Sequence, residues 1–326
     1  MIKKKWVIVI DAIISLLLIG AILYFMNLEK LIEHFTSINL FYLFAAILFL
    51  LLLYVIMSIR ISLLLAKSGV NISLLSVLRS HIVGMLAADF TPARSGYFAT
   101  AGMLHYKYKV PSEKALMSIL GPQVFDFSLK LIAGTLAIIY LLWNFLEESQ
   151  APYVFAGSVI LLFMIVVMLL LLFSKPFLRL FSFAEKLPVI GRVYSVFERM
   201  QKHSHIVANE AFSIAALTIL GWSAKALSWY FVAKAVGISL NLPFPEVFFY
   251  YFFQALVTIL EFMPLPTIAG AGASEAAGVF VMLFFNVEKE AALSFMLLAR
   301  VKTILVNLIS MPDAWRLTKT AVKDIM

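Results

Sequence analysis

Apolar runs of about twenty residues recur from one end of this chain to the other, and nothing else in the sequence constrains its fold as strongly. A helix needs about 20 such residues to cross the hydrocarbon core of a bilayer. In lipid every backbone N–H and C=O must be satisfied internally, so spanning segments are helices or closed barrels. The alternating ten-residue segments of a barrel are absent from the sequence. Charged residues make up only 13% of the 326 residues and hydrophobic ones 63%, whereas a soluble domain carries about 25% charged residues. The expected fold is all-α: one polytopic integral membrane bundle over residues 1–326, with no soluble domain of consequence.

The first run, Trp6 to Met26, follows Lys3, Lys4 and Lys5. It is longer than the apolar core of a signal peptide and reads as a retained first helix. Further full spans are expected over Leu40–Ile59, Ala115–Phe145, Pro152–Ser174, Phe212–Val236 and Ala291–Met311. Two regions break the pattern. Ser73–Ala88 is too short to span and stops at Asp89-Phe90-Thr91-Pro92-Ala93-Arg94-Ser95-Gly96, before a second short piece, Tyr97–Leu104. Val247–Leu260 stops at Glu261-Phe262-Met263-Pro264-Leu265-Pro266, and Gly270 and Gly272 lead into another short piece, Ala276–Phe285. Pro and Gly at such points break helices, and two half-helices meeting at a polar break describe a re-entrant hairpin. The expected topology is therefore six full spans plus two re-entrant helical hairpins.

Charge sets the orientation. With the N-terminus inside, 17 of the 26 Lys and Arg fall in cytoplasmic segments and only Lys30, Lys234 and Lys289 at external ends, as the positive-inside rule requires. Both termini are then cytoplasmic and the cell membrane is the expected location. Residues 175–210 hold six of the cytoplasmic cations. Ile190, Val193, Phe197 and Met200 recur there at helical spacing, opposite Arg192 and Arg199, which reads as an amphipathic connector on an anionic membrane surface. The net charge of +8 is explained by these flanking residues, so nucleic acid is not an expected partner.

The two breaks share a pattern of acid, Phe, any residue, Pro, beginning at Asp89 and at Glu261. Nearly the same separation relates the starts of the spans that follow, Ala115 and Ala291. The first hairpin would enter from inside and the second from outside. This suggests an inverted repeat, residues 40–145 against 212–311, of the kind that places broken helices at the midplane of transporters.

Ten ionisable residues fall inside these membrane segments. Each costs about 2.5–3.5 kcal/mol at a helix centre on insertion scales. Arg94, Asp126, Glu275 and Arg300 are the leading substrate-binding candidates, with Lys225, Glu261 and Asp89 beside them. Pro92, Gly96, Pro264, Pro266, Gly270 and Gly272 form the helix breaks. Asp126 and Lys130 stand one turn apart and can pair. Arg60 and Lys302 are expected to snorkel to an interface. The sequence has no cysteine, which rules out disulfides and thiolate chemistry. Its five histidines make no metal-ligand spacing, and neither a P-loop nor a dinucleotide fingerprint is present. No catalytic residue, metal or cofactor is expected.

Pro92-x-Arg94-x-Gly96, Asp126 about thirty residues on, Gly270-x-Gly272-x-x-Glu275 and then Arg300 resemble the membrane domain of lysylphosphatidylglycerol synthases, over nearly the whole chain. That domain also occurs alone, in flippase-like proteins. The resemblance implies movement of a modified phospholipid or another lipid-linked anionic molecule between leaflets. Tyr97, Thr100, Gln123 and Ser274 depart from the family's usual acidic or basic residues, so the lipid is expected to differ. The soluble aminoacyl-transfer domain has no counterpart, and lysyl transfer is not expected. The expected function is a lipid flippase or scramblase with membrane lipids as partners, either an anionic headgroup or a lipid-linked phosphate, and with homo-oligomers compatible with the pattern. A membrane-embedded lipid-modifying enzyme or accessory subunit, and a small-solute transporter, are the alternatives.

Overall fold

The computed structural model describes residues 4–24, 26–144, 174–180, 204–262 and 270–323, with Thr267 and scattered positions from 159 to 201. All regular structure among the described residues is helical. The helices are α1 (Lys4–Tyr24), α2 (Leu28–Thr36), α3 (Leu40–Lys67), α4 (Leu74–Asp89), α5 (Ala99–Tyr108), α6 (Ser112–Leu120), α7 (Gln123–Asn144), α8 (Lys175–Leu180), α9 (Ser204–Asn209), α10 (Ala211–Ala235), α11 (Val247–Phe262), α12 (Ala273–Leu283), α13 (Lys289–Asn307) and α14 (Met311–Lys323). A 3₁₀ segment, Pro92–Phe98, joins α4 to α5.

Four stretches are long and apolar enough to cross a membrane: Leu40–Lys67, Ser112–Ala137, Ala211–Ala235 and Lys289–Leu317. Ile13–Tyr24 and Leu28–Thr36, joined through a 98° turn, pass the same test only when taken together. The expected span Pro152–Ser174 and most of the 175–210 connector lie outside the described residues; α8 and α9 are pieces of that connector. α3 shows why its residues suit lipid. Its Leu40, Phe41 and Phe44 are each more than half exposed, which in water would be unfavourable and in hydrocarbon is neutral. α4, with 16 residues, reaches only about 24 Å at 1.5 Å per residue, short of the ~30 Å core. The α11 and α12 pieces are likewise apolar and too short.

The structure differs from the sequence reading at two elements. The pattern of apolar runs marks no helix between the first two spans, and α2 forms there. Asn27 starts it, its side-chain oxygen accepting from the amides of Glu29 and Lys30 at 3.0 and 3.3 Å, the arrangement of an N-cap. Ala115–Phe145 reads as one span, and Ser112–Ala137 does form one apolar stretch, with a turn at Gly121 and Pro122 where α6 passes into α7. Pro122 has no amide to donate there, and Gly121 lets Val207 approach to where a Cβ would meet its Cγ2 at 2.7 Å.

The chain divides into two compact units. The first comprises Met1–Tyr54, Ile82–Ala99 and Gly221–Arg316. Its core is aromatic: Trp229, Phe249, Tyr250, Phe253 and Phe295 are all buried, with Phe249 stacked on Phe253 at 5.2 Å and Trp229 edge-on to Phe295 at 5.9 Å. Ala226, Ala233, Ala291 and Ala292 fill the same core. Lipid tails are as apolar as these side chains, so close packing over small residues, rather than escape from water, holds such helices together. The second unit comprises Val55–His81, Thr100–Leu220 and Leu317–Met326. Its core gathers Leu64, Met117, Ile206, Val207 and Ile214, with Phe125 against them.

Candidate functional site

In the first unit both helix breaks are fastened to one face of α13. The first break begins where α4 ends at Asp89. Thr91 turns the chain. Its hydroxyl donates to the carbonyl of Ala87 at 3.0 Å and accepts from the amide of Gly96 at 2.6 Å. The 3₁₀ segment is thereby folded back on the last turn of α4. A Cβ on Gly96 would lie 2.2 Å from the carbonyl carbon and oxygen of Ala87, so this approach requires glycine. Arg94 sits in the left-handed region, at φ 52°, a conformation that costs a non-glycine residue about 1–3 kcal/mol and clusters at functional sites. That backbone turns its guanidinium to Asp89, with Nη2 to Oδ1 at 3.4 Å. The other carboxylate oxygen of Asp89 accepts from Asn307 Nδ2 at 2.6 Å, and Asn307 Oδ1 accepts from the Tyr54 hydroxyl at 2.7 Å. Tyr54, Asn307 and Asp89 are all buried.

The second break is built on glycine. Gly270 and Gly272 have φ of 73° and 87°, and Gly272 caps α12. A Cβ there would also meet Leu18 Cβ at 2.4 Å. Glu275, on the first turn of α12 and 2% exposed, reaches back so that Oε2 accepts from the Gly272 amide at 2.7 Å. A carboxylate at a helix N-terminus suits both the free amides and the macrodipole. Its other oxygen accepts from Arg300 Nε. Arg300 Nη2 donates to Ser274 Oγ at 2.7 Å, and that hydroxyl stands 3.1 Å from the Gly270 carbonyl. The Arg300 side chain is 20% exposed, and its Nη1 makes no hydrogen bond among the described residues. Arg300 and Asn307 are seven residues apart on α13, hence on one face about 10 Å apart.

On another face of α13, Lys302 is 3% exposed and donates to Ser228 of α10. Lys225 of α10 lies over the Trp229 ring, 5.2 Å from its centroid, in the manner of a cation–π contact.

The second unit contains a separate ion pair. Arg60 of α3 grips Asp126 of α7 with both ends of its fork, Nη1 to Oδ1 at 2.9 Å and Nη2 to Oδ2 at 2.8 Å. Nη1 also donates to Thr218 Oγ1 of α10 at 2.8 Å.

Several sequence expectations are corrected here. Asp126 takes Arg60 as its ion-pair partner rather than Lys130, because a planar guanidinium matches a carboxylate in two bonds where an ammonium makes one. Lys130 is buried and lies 4.9 Å from the Phe127 ring centroid. Arg60 and Lys302 do not snorkel: they are 2% and 3% exposed. The Glu261 backbone lies in the last turn of α11, which ends at Phe262, while its side chain, Pro264 and Pro266 lie outside the described residues. As members of these networks, Tyr54, Arg60, Thr218, Ser228, Ser274 and Asn307 escape the sequence reading. Arg60 carries a signal as a charge in an apolar span, and Asn307 as a polar residue two turns beyond Arg300. Among the described residues no three His, Asp or Glu side chains gather as a metal site.

These features define a class: a polytopic α-helical membrane protein whose intramembrane acids are held against cations at helix breaks. The chain belongs to the family described as the lysylphosphatidylglycerol synthase TM region, which it matches over residues 8–310 of 326. Neither a curated protein nor a solved structure matches it. The family takes its name from enzymes of membrane-lipid synthesis, which ties the chain to a lipid-related role.

Proposed function

We propose that this protein carries an anionic or lipid-linked headgroup between the leaflets of the cell membrane, as a flippase or scramblase and not as a catalyst. The Arg300 guanidinium carries this reading. One edge is committed to Glu275 and Ser274, which fix its plane. The other nitrogen is left over, on a side chain that is one-fifth exposed. A fixed, partly open guanidinium beside a glycine-rich helix N-terminus suits a phosphate, whose oxygens can accept from the remaining guanidinium N–H groups. The acyl chains would stay in the bilayer while the headgroup is spared exposure to hydrocarbon. Arg94, held by an Asp89 that Asn307 fixes in turn, is the corresponding cation at the first break. The inverted repeat of 40–145 and 212–311 belongs to this reading, since related breaks of opposite entry offer a headgroup equivalent paths from either leaflet.

Leaflet exchange in reconstituted liposomes, with labelled phosphatidylglycerol, lysylphosphatidylglycerol, phosphatidylcholine and a polyprenyl phosphate, tests this directly. At least one anionic or lipid-linked substrate should exchange. Arg300→Gln, and Glu275→Gln/Arg300→Gln, which leaves neither charge stranded, should cut exchange per folded molecule by about tenfold or more, a change of about 1.4 kcal/mol or more. Normal exchange per folded molecule in the double variant would remove this pair from the site. A wild-type protein that exchanges none of the four lipids would refute the proposal.

A further inference from the structure

Lys302 differs from Arg94 and Arg300 of the same unit. Arg94 and Arg300 each meet a carboxylate; Lys302 meets none among the described residues. It lies two residues from Arg300 and so about 200° around α13 from it, on the side that faces α10. Its ammonium has three N–H donors. One goes to Ser228 Oγ. The single hydrogen of that hydroxyl goes to the Ala46 carbonyl at 2.7 Å, so Ser228 meets Lys302 only as an acceptor. The remaining two donors have no acceptor among the described residues, and the whole residue is 3% exposed. Lys225, three residues before Ser228, is on the same side of α10 and lies over the Trp229 ring. Ala46, Ala226 and Trp229 of the surrounding core are all buried. A buried cation left without a counter-charge is costly, and an anion would supply both the charge and the acceptors.

We propose that Lys302 is an anion subsite that accepts phosphate oxygens. The phosphate would come from a lipid headgroup or from inorganic phosphate. This rests on the lipid-transport reading only for the natural ligand: there, a headgroup phosphate has a second cationic station on the helix that bears Arg300.

The test is the thermal stability of the purified wild-type protein in a non-ionic detergent. It is titrated with inorganic phosphate, with dihexanoylphosphatidylglycerol, and with dihexanoylglycerol as the phosphate-free control. A ligand that binds only the folded state raises the melting temperature saturably. The wild type should respond to at least one phosphate-bearing probe and not to dihexanoylglycerol. Lys302→Met should need about tenfold more probe or lose the response. Lys302→Arg, which keeps the charge, should stay within about threefold of wild type. If Lys302→Met does not fold, Lys302→Gln replaces it. A response to the lipid alone assigns the subsite to a headgroup, and a response to both probes assigns it to phosphate itself. No response in the wild type, or equal responses in wild type and Lys302→Met, overturns the proposal. Because the readout is binding, it is independent of whether any lipid changes leaflet.

Discussion

The Arg60–Asp126 pair lends itself to a quantitative test, because its geometry is closed. Two parallel N–H···O contacts at 2.8–2.9 Å and a third to Thr218 hold a guanidinium whose side chain is only 3% exposed. Replacing Asp126 by Leu strands that cation. Breaking a buried pair from one side costs about 3–5 kcal/mol, several times the ~0.6 kcal/mol average of interhelical hydrogen bonds in a membrane protein. Arg60→Met strands a carboxylate that is 14% exposed, so its cost belongs at the lower end of that range. Arg60→Met/Asp126→Leu strands neither and should lie within about 1 kcal/mol of wild type, since apolar replacement of a whole buried pair is often neutral. The coupling energy from the double-mutant cycle is then about 5 kcal/mol. It is measured by reversible unfolding of the protein in bicelles, with leaflet exchange followed in parallel. Independent sites add to within about 0.5 kcal/mol, and a cycle in which the two single effects add that closely would refute the reasoning. Normal exchange by the double variant would assign Asp126 to holding α3 against α7 and take it out of the substrate path.

Gly96→Ala should destabilise the first break by about 2–4 kcal/mol, combining overpacking against the Ala87 carbonyl with loss of the Gly96–Thr91 bond; a melting temperature within one degree of wild type would contradict it. Glu210 is held below the usual carboxylate range by the hydrogen bond and charge of Lys67, with Ser213 also donating. A depressed folded value means that its contribution is present above the unfolded carboxylate range and disappears as pH falls through the folded value. The wild type should therefore lose its small margin over Glu210→Gln on acidification, and a margin that persists to pH 2 would exclude the pair as its source. Single cysteines at positions 147 and 288 of this cysteine-free chain should be labelled from outside the cell and one at 186 from inside; labelling of position 288 from the cytoplasm alone would break the inverted-repeat reading.

Length and polarity of local segments were enough to define the class of fold. Apolar runs near twenty residues specify helices in lipid because no other backbone is satisfied there, and Pro92, Gly96, Gly270 and Gly272 mark where helices stop. Asn27 shows that a cap is a local signal, although the pattern of apolar runs hides the short helix it begins. Partner choice was another matter. Asp126 has Lys130 one turn away in the sequence, yet Arg60, 66 residues distant, takes it, because two bonds from a rigid fork outweigh one from a flexible ammonium. Asp89 and Arg94 are visible at one break, but Asn307, 218 residues on, joins that break to the helix bearing Arg300. Lys302 and Arg300 look equivalent as letters two apart. They leave α13 on nearly opposite sides, so one meets a carboxylate and the other, among the described residues, only Ser228. Sequence determines the local backbone through periodicity and turn chemistry. Which buried charges meet depends on the rotation of each helix about its axis, and that is decided only when the helices pack.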